Sequence, residues 1–176
     1  QVQTGCEAVG IDSSTKQVSI RRTDGSSFTE NYDKLIIATG AAPFVPPVDG
    51  VGLSGAFCVR TPDDAVAIRA YAEANNCRRA VVCGAGFIGL EVAENLAAMK
   101  LDVTVIDAAP QIMPNAFDRE MADFAKRKLK AGGMRILTSV SLKGITGQQH
   151  AESVVTDSGT LPADLVILAI GVRPAT

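Results

Sequence analysis

The sequence predicts an α/β fold: a Rossmann-like parallel sheet with crossover helices and a β-meander, preceded by a short, mostly β segment. Three observations predict it. The runs "RAVVC" (79–83), "LDVTVID" (101–107) and "ADLVILAIG" (163–171) are almost continuously apolar, as strands covered on both faces are. Helix-like stretches separate the apolar runs, giving the order strand, helix, strand, helix, strand of a parallel sheet with crossovers. And a GxGxxG turn lies where the first of these runs passes into a helix, the context that gives this motif mechanical meaning.

The elements follow in order. Residues 1–40 read as short strands, with Val18, Ile20 and Phe28 alternating with polar neighbours in the period of half-buried strands. "SSTK" (13–16) is a turn, and "TDGSS" (23–27) carries the Asp-Gly hairpin signal. "YDKLIIATG" (32–40) reads as a short apolar strand ending on Gly40. "AAPFVPPVDG" (41–50) holds three prolines in ten residues and reads as a stiff crossing at a domain boundary. This divides the chain into residues 1–43 and 44–176. A helix is expected over 61–75, with Thr61 as N-cap and Pro62 at its first position. Asp63 and Asp64 suit a helix start better than a catalytic pair. The helix after the glycine turn should run from about Phe87 to Met99. A third helix is expected over 117–133, stopped by Gly132 and Gly133. "MRIL" (134–137) reads as a strand, and a weak hairpin is centred on "TDSGT" (156–160).

Composition narrows the function classes. With 47% hydrophobic residues the chain can bury a sizeable core. No run approaches the ~20 uncharged apolar residues of a membrane span, and no signal-peptide pattern opens the chain. The net charge is −2, without the basic block interleaved with aromatics that marks nucleic-acid binding. The densest basic run, Lys126, Arg127, Lys128 and Lys130, reads as a solvated helix face. Cys6, Cys58, Cys77 and Cys83 form no CxxC and, with the one histidine, His150, no metal-ligand spacing. A reducing, cytoplasmic setting fits best. Cys83 sits in an apolar strand and His150 in a polar loop, so neither reads as a catalytic group. The chain begins with Gln1 rather than Met, which suggests a piece of a longer protein.

The motif itself is Gly84-Ala85-Gly86-Phe87-Ile88-Gly89. Gly84 permits the tight turn, Gly86 lets a pyrophosphate approach the backbone, and Gly89 lets helix and strand pack closely. The helix N-terminus adds free N–H groups and positive dipole potential for the phosphates. Asp107 closes the next apolar run, 107 − 84 = 23 residues after the first glycine, where a carboxylate accepts from the adenosine ribose hydroxyls. A 2′-phosphate would meet that charge, and Ala108, Ala109 and Pro110 offer no arginine. The expected ligand is therefore NAD(H) rather than NADP(H). Glu91 is either a second ligand-side residue or an acid that complements the helix dipole. Glu94 reads as surface.

Four stretches in order, "YDKLIIATGAAPFVPP", "GAGFIGLEVAENL", "VTVIDAAPQIMP" and "ADLVILAIGVRP", resemble the FAD-dependent pyridine nucleotide-disulfide oxidoreductases. The likeness spans essentially the whole chain. It is strongest to the branch of coenzyme A disulfide reductases, NADH oxidases and NADH peroxidases, and "GFIGLEVAENL" followed by "MP" is most similar to the first of these. The resemblance implies that residues 1–43 close the first part of an FAD domain and that an NAD(H)-binding domain follows. It implies pyrophosphate contacts at Gly84, Gly86 and Gly89, with Phe87 and Ile88 beside them, and ribose binding by Asp107. Glu91 and Gly171 would serve the nicotinamide end, and Thr39 and Gly40 would border the flavin. The family's first GxGxxG and its redox-active cysteine match nothing here, so no catalytic residue is assigned to this chain and no metal is expected. The implied activity is hydride transfer from NADH to FAD, for reduction of a disulfide, oxygen or peroxide. The implied partners are the remaining FAD and dimerisation domains of a homodimer, with neither nucleic acid nor membrane. A non-catalytic nucleotide-binding module and a reductase of a small iron–sulfur or rubredoxin-type carrier are the competing readings.

Overall fold

A computed structural model describes residues 2–175. The chain divides into two compact units, Gln1–Thr39 and Gly40–Thr176. In the first, β1 (Cys6–Asp12), β2 (Gln17–Arg22) and β3 (Ser27–Asn31) form an antiparallel meander in the order β1-β2-β3. The two foreseen turns make its hairpins. Asp12 accepts from the Ser14 and Thr15 N–H groups in one, and Asp24 accepts from Ser26 in the other. Val18 is its one buried hydrophobic residue among the described residues. Ile20 pairs with Phe28, whose ring carries the Arg22 guanidinium 4.1 Å from its centre.

The strand expected over 32–40 does not form. Ile36 is 89% exposed and Ile37 58%. A strand needs a neighbour to take its backbone hydrogen bonds, and among the described residues no strand pairs with this run, which is bonded only at its ends, from the Tyr32 N–H to the Lys16 carbonyl and from the Ala175 N–H to the Gly40 carbonyl. Apolar composition named the segment's preference but could not supply its partner.

The second unit is built on a five-stranded parallel sheet in the order β5-β12-β6-β7-β8. Its strands are β5 (Ala56–Cys58), β6 (Arg79–Cys83), β7 (Asp102–Asp107), β8 (Arg135–Thr138) and β12 (Leu165–Leu168). Both faces are covered, which is why the strands are continuously apolar. Val82, Val103, Val105, Ile136, Leu165 and Ile167 pack on the helical side. Their strand neighbours Val81, Cys83, Ile106, Val166 and Leu168 pack on the other. That second face is closed by a meander of β9 (Leu142–Thr146), β10 (Ser153–Thr156) and β11 (Gly159–Pro162). Burial of one such Val, Leu or Ile stabilises by about 1.5–3 kcal/mol.

Three helices cover the first face: α1 (Pro62–Ala74), α2 (Phe87–Ala98) and α3 (Arg119–Ala131). Thr61 caps α1 in a capping box with Asp64. α3 starts two residues later than its apolar periodicity suggests, because the Asp118 carboxylate accepts from the Met121 N–H and fixes the first turn. Cys83 is buried as expected, and burial pushes its thiol up to about 12.

The sequence of the proline-rich 41–50 segment predicts a stiff crossing at a domain boundary. Its first residues are instead β4 (Ala41–Pro43), antiparallel to β13 (Val172–Pro174). The two prolines are tolerated because this is a two-stranded ribbon with open edges. The edge strand β5 and the meander strand β9 were not foreseen. β5 has three residues, and β9 is broken by Gly144, too little for periodicity to register.

Candidate dinucleotide site

The site grows from the carboxyl ends of β6, β7 and β12. Leaving β6, the chain turns at Gly84, with φ +109°. Its N–H donates to the Ile106 carbonyl at 2.8 Å. A Cβ there would overlap the Ala169 carbonyl at the end of β12, so the turn is closed to every other residue. Gly86 is the N-cap of α2, and no side chain caps that helix. The N–H groups of its first turn therefore lack intrahelical partners. A Cβ on Gly86 would meet nothing within 4 Å: the space beside that backbone is open. Gly89 is buried, and a Cβ on it would overlap the Gly84 carbonyl. The three glycines thus do three different jobs, and the close approach of α2 to the turn depends on the last.

Asp107 ends β7 and is tied into the turn from the side. Its Oδ2 accepts from the Ala85 N–H at 2.6 Å and its Oδ1 from the Ala109 N–H at 2.8 Å. The loop after β7 is stitched to the same turn, since the Met113 N–H donates to the Ala85 carbonyl at 2.9 Å. Met113 holds a φ of +51° to do so. The Val140 N–H donates to the Asp107 carbonyl at 2.9 Å, which brings the loop after β8 alongside.

These pieces enclose a cleft of about 480 Å³. Gly84, Gly86, Asp107 and Gly171 line it, so four of the residues chosen from sequence converge. Gly171 has φ +130° and accepts from the Phe44 N–H. Phe87, 67% exposed, flanks the turn without lining the cleft. Ile88 and Glu91 face a different hollow of about 700 Å³, between α1 and α2, beside Arg60, Arg69 and Met99. Glu91 makes no side-chain hydrogen bond or ion pair among the described residues and stands exposed. Thr39 and Gly40 lie outside both hollows, and Gly40 accepts from the Ala175 N–H at 3.0 Å. Sequence reasoning missed Pro46, Asn115, Ser141 and Leu142, which complete the cleft. Asn115 and Ser141 lie in loops that carry no motif and Leu142 opens β9; Pro46, in "AAPFVPP", and Pro114, in "MP", lie in stretches already singled out.

Among the described residues no group of His, Cys, Asp and Glu is placed to hold a metal, and no helix is long and apolar enough to cross a membrane. His150 is exposed, its Nδ1 3.3 Å from the Tyr71 hydroxyl.

The chain matches the family described as "Pyridine nucleotide-disulphide oxidoreductase" over residues 1–176. It is 40% identical over 173 residues to the NADH oxidase of Methanocaldococcus jannaschii, covering 98% of this chain and 39% of that protein. It is 43% identical over 168 residues to the NAD(P)H sulfur oxidoreductase (CoA-dependent) of Pyrococcus abyssi, covering 96% and 37%. The chain therefore spans about two fifths of these relatives. Its fold superposes on the water-forming NADH oxidase of Lactobacillus brevis bound to NADH with a TM-score of 0.82, at 31% identity, over 97% of this chain and 38% of that one. An engineered form of that oxidase bound to NADPH gives a TM-score of 0.80 at 28% identity, with the same two coverages.

Proposed function

The chain belongs to the pyridine nucleotide-disulphide oxidoreductase family, and from that premise we propose that residues 44–176 are its NAD(H)-binding part. The observation that carries this reading is the joint geometry of the glycine turn. An uncapped helix N-terminus, open space beside Gly86 and the Asp107 carboxylate meet on one cleft. That set suits a dinucleotide: N–H groups for the pyrophosphate, and a fixed acceptor for the adenosine ribose hydroxyls.

Bound NADH supplies a hydride, and in a flavoprotein of this family FAD receives it. The residues of this chain bind and orient. Gly84, Gly86 and Gly89 shape the pyrophosphate seat, Asp107 fixes the adenosine end, and Gly171 offers backbone on the opposite wall. Glu91 serves the nicotinamide side from the neighbouring hollow. Thr39 and Gly40 border the flavin.

NADH is the preferred donor. The engineered NADPH-bound oxidase differs from its NADH-bound parent at a Gly, at an Asp eighteen residues on, at the Ala and Met that follow, and at a Pro five further. This chain carries Gly89, Asp107, Ala108, Ala109 and Pro114 at the same spacing. Four of the five residue types coincide with those of the NADH-using parent. In the whole protein we assign the electrons to a coenzyme A disulfide-like acceptor, which the CoA-dependent relative favours. Oxygen or peroxide is the alternative, favoured by the relative named as an NADH oxidase. The whole protein would act as a homodimer.

Calorimetric titration of the chain with NADH and NADPH, without FAD, tests the reading. Micromolar or weaker NADH binding with about tenfold preference over NADPH, a difference of about 1.4 kcal/mol, is expected. A folded chain that binds neither dinucleotide overturns it.

A further inference from the structure

Of the four basic residues in the α3 run, Lys126 stands apart. It is half-buried where Arg127, Lys128 and Lys130 are exposed. Its Nζ donates to the Thr138 hydroxyl at 2.9 Å. Arg127 and Lys128 instead lean over the exposed Phe124 ring. Lysine on a solvated face does not normally give up its freedom to a neutral hydroxyl, so the position of Thr138 matters.

Thr138 is the last residue of β8 and the register partner of Asp107 on β7. Side chains alternate along a strand. Val103 and Val105, then Ile136, pack on the helical face, so Asp107 and Thr138 both project from that face at the carboxyl end of the sheet. Strands lie about 5 Å apart. The Lys126 ammonium is therefore held roughly one strand spacing plus one hydrogen bond from the carboxylate expected to meet the adenosine ribose. It does not pair with Asp107, whose oxygens are taken by the Ala85 and Ala109 N–H groups. Residues 108–110 supply no cation. Lys126 and Thr138 do not line the cleft, but register and tether bring a cation from α3 toward the strand end that carries Asp107.

We propose that Lys126, positioned by Thr138, is a specificity-determining residue: it offsets part of the repulsion between Asp107 and a 2′-phosphate, so that NADPH is a second, weaker ligand rather than an excluded one. The inference rests on the dinucleotide reading of the cleft. A single cation at this range, in a partly solvated setting, changes the affinity for a doubly charged phosphate by about tenfold.

The test is the ratio of NADPH to NADH dissociation constants, measured by calorimetry on the chain at low and moderate salt. Lys126→Met keeps an unbranched side chain of similar length and removes the charge. Thr138→Val removes the tether and keeps the shape. The ratio is expected to rise about tenfold against NADPH for Lys126→Met and by less for Thr138→Val. Lys126→Arg should restore it. The difference in ratio between wild type and Lys126→Met should itself shrink with salt, since screening weakens the ammonium's pull. A ratio that stays put in Lys126→Met, or a parallel fall of both affinities, overturns the inference while leaving the cleft's reading intact. A folded wild-type chain that binds NADH but shows no measurable NADPH affinity also overturns it. Binding of neither dinucleotide removes the reading and the inference together.

Discussion

Replacing Gly84 by alanine separates what the turn needs from what a ligand needs. Two costs act at this position. The backbone stands at φ +109°, where an L-residue carries about 1–3 kcal/mol of strain. The new Cβ also runs into the Ala169 carbonyl and comes within 3.2 Å of the Ile170 nitrogen. Both are backbone atoms at the end of a central strand, so no side chain can swing aside, and overpacking of this kind costs about 1–3 kcal/mol more. The sum is about 2–6 kcal/mol, a large share of a total stability of about 5–15. At about 3 °C per kcal/mol for a unit of this size, Tm should drop by roughly 6–20 °C in calorimetry. Gly86→Ala is the counterpart. Its φ is −83° and its Cβ enters open space, so the stability loss stays below about 1 kcal/mol, the scale of a changed N-cap. NADH affinity should nevertheless fall, because that space is the proposed seat of the pyrophosphate. A Gly84→Ala chain melting within about 2 °C of wild type would refute the steric argument, and a Gly86→Ala chain with undiminished NADH affinity would refute the placement of the ligand.

Other substitutions probe the remaining parts. Asp107→Asn should weaken NADH by about tenfold to a hundredfold, as loss of hydrogen bonds to a charged acceptor implies, and should narrow the gap to NADPH; titration of both ligands reads this directly. Ile167→Ala, at a fully buried position in the central strand β12, should cost about 2–5 kcal/mol by denaturant unfolding. Cys83 predicts an alkaline slope. The folded thiol keeps its proton to about 12 against an ordinary 9.0, so the folded state binds the proton more tightly. The stability this gives is complete below pH 9 and is lost as the pH rises toward 12, at up to about 1.4 kcal/mol per pH unit. Cys83→Ala should lack that component of the slope, and in the native wild type Cys83 should be the last thiol to react with a disulfide reagent.

The sequence made the centre of the fold legible and its margins illegible, for physical reasons. β6, β7 and β12 each bury side chains on both faces, so composition alone announces them. Gly84, Gly89 and Asp107 were readable because each answers a local demand that few residues can meet, and Gly86 because the motif's spacing includes it. β4, β5 and β9 were not, since pairing across the sheet made them strands, with no pattern of their own. Residues 32–40 failed in the opposite sense: strong β propensity with no described strand to pair with. The rest of the cleft's lining, Pro46, Asn115, Ser141 and Leu142, comes from separate segments that the sheet gathers together and linear spacing cannot relate. Lys126 was dismissed as one of four solvated cations, because only strand register reveals that its tether stands beside Asp107.

The ribbon of β4 and β13 sets how the second unit joins any larger architecture. Ala41 faces Pro174 and Pro43 faces Val172, so the two ends of this unit lie side by side, about 5 Å apart. To a host scaffold such a unit is a point insertion: its two attachment strands replace one surface turn, and the host's own ends need not move apart to receive it. The unit can accordingly be treated as a transplantable cassette, cut at 40 and 175 and grafted through a hairpin-sized gap in another protein.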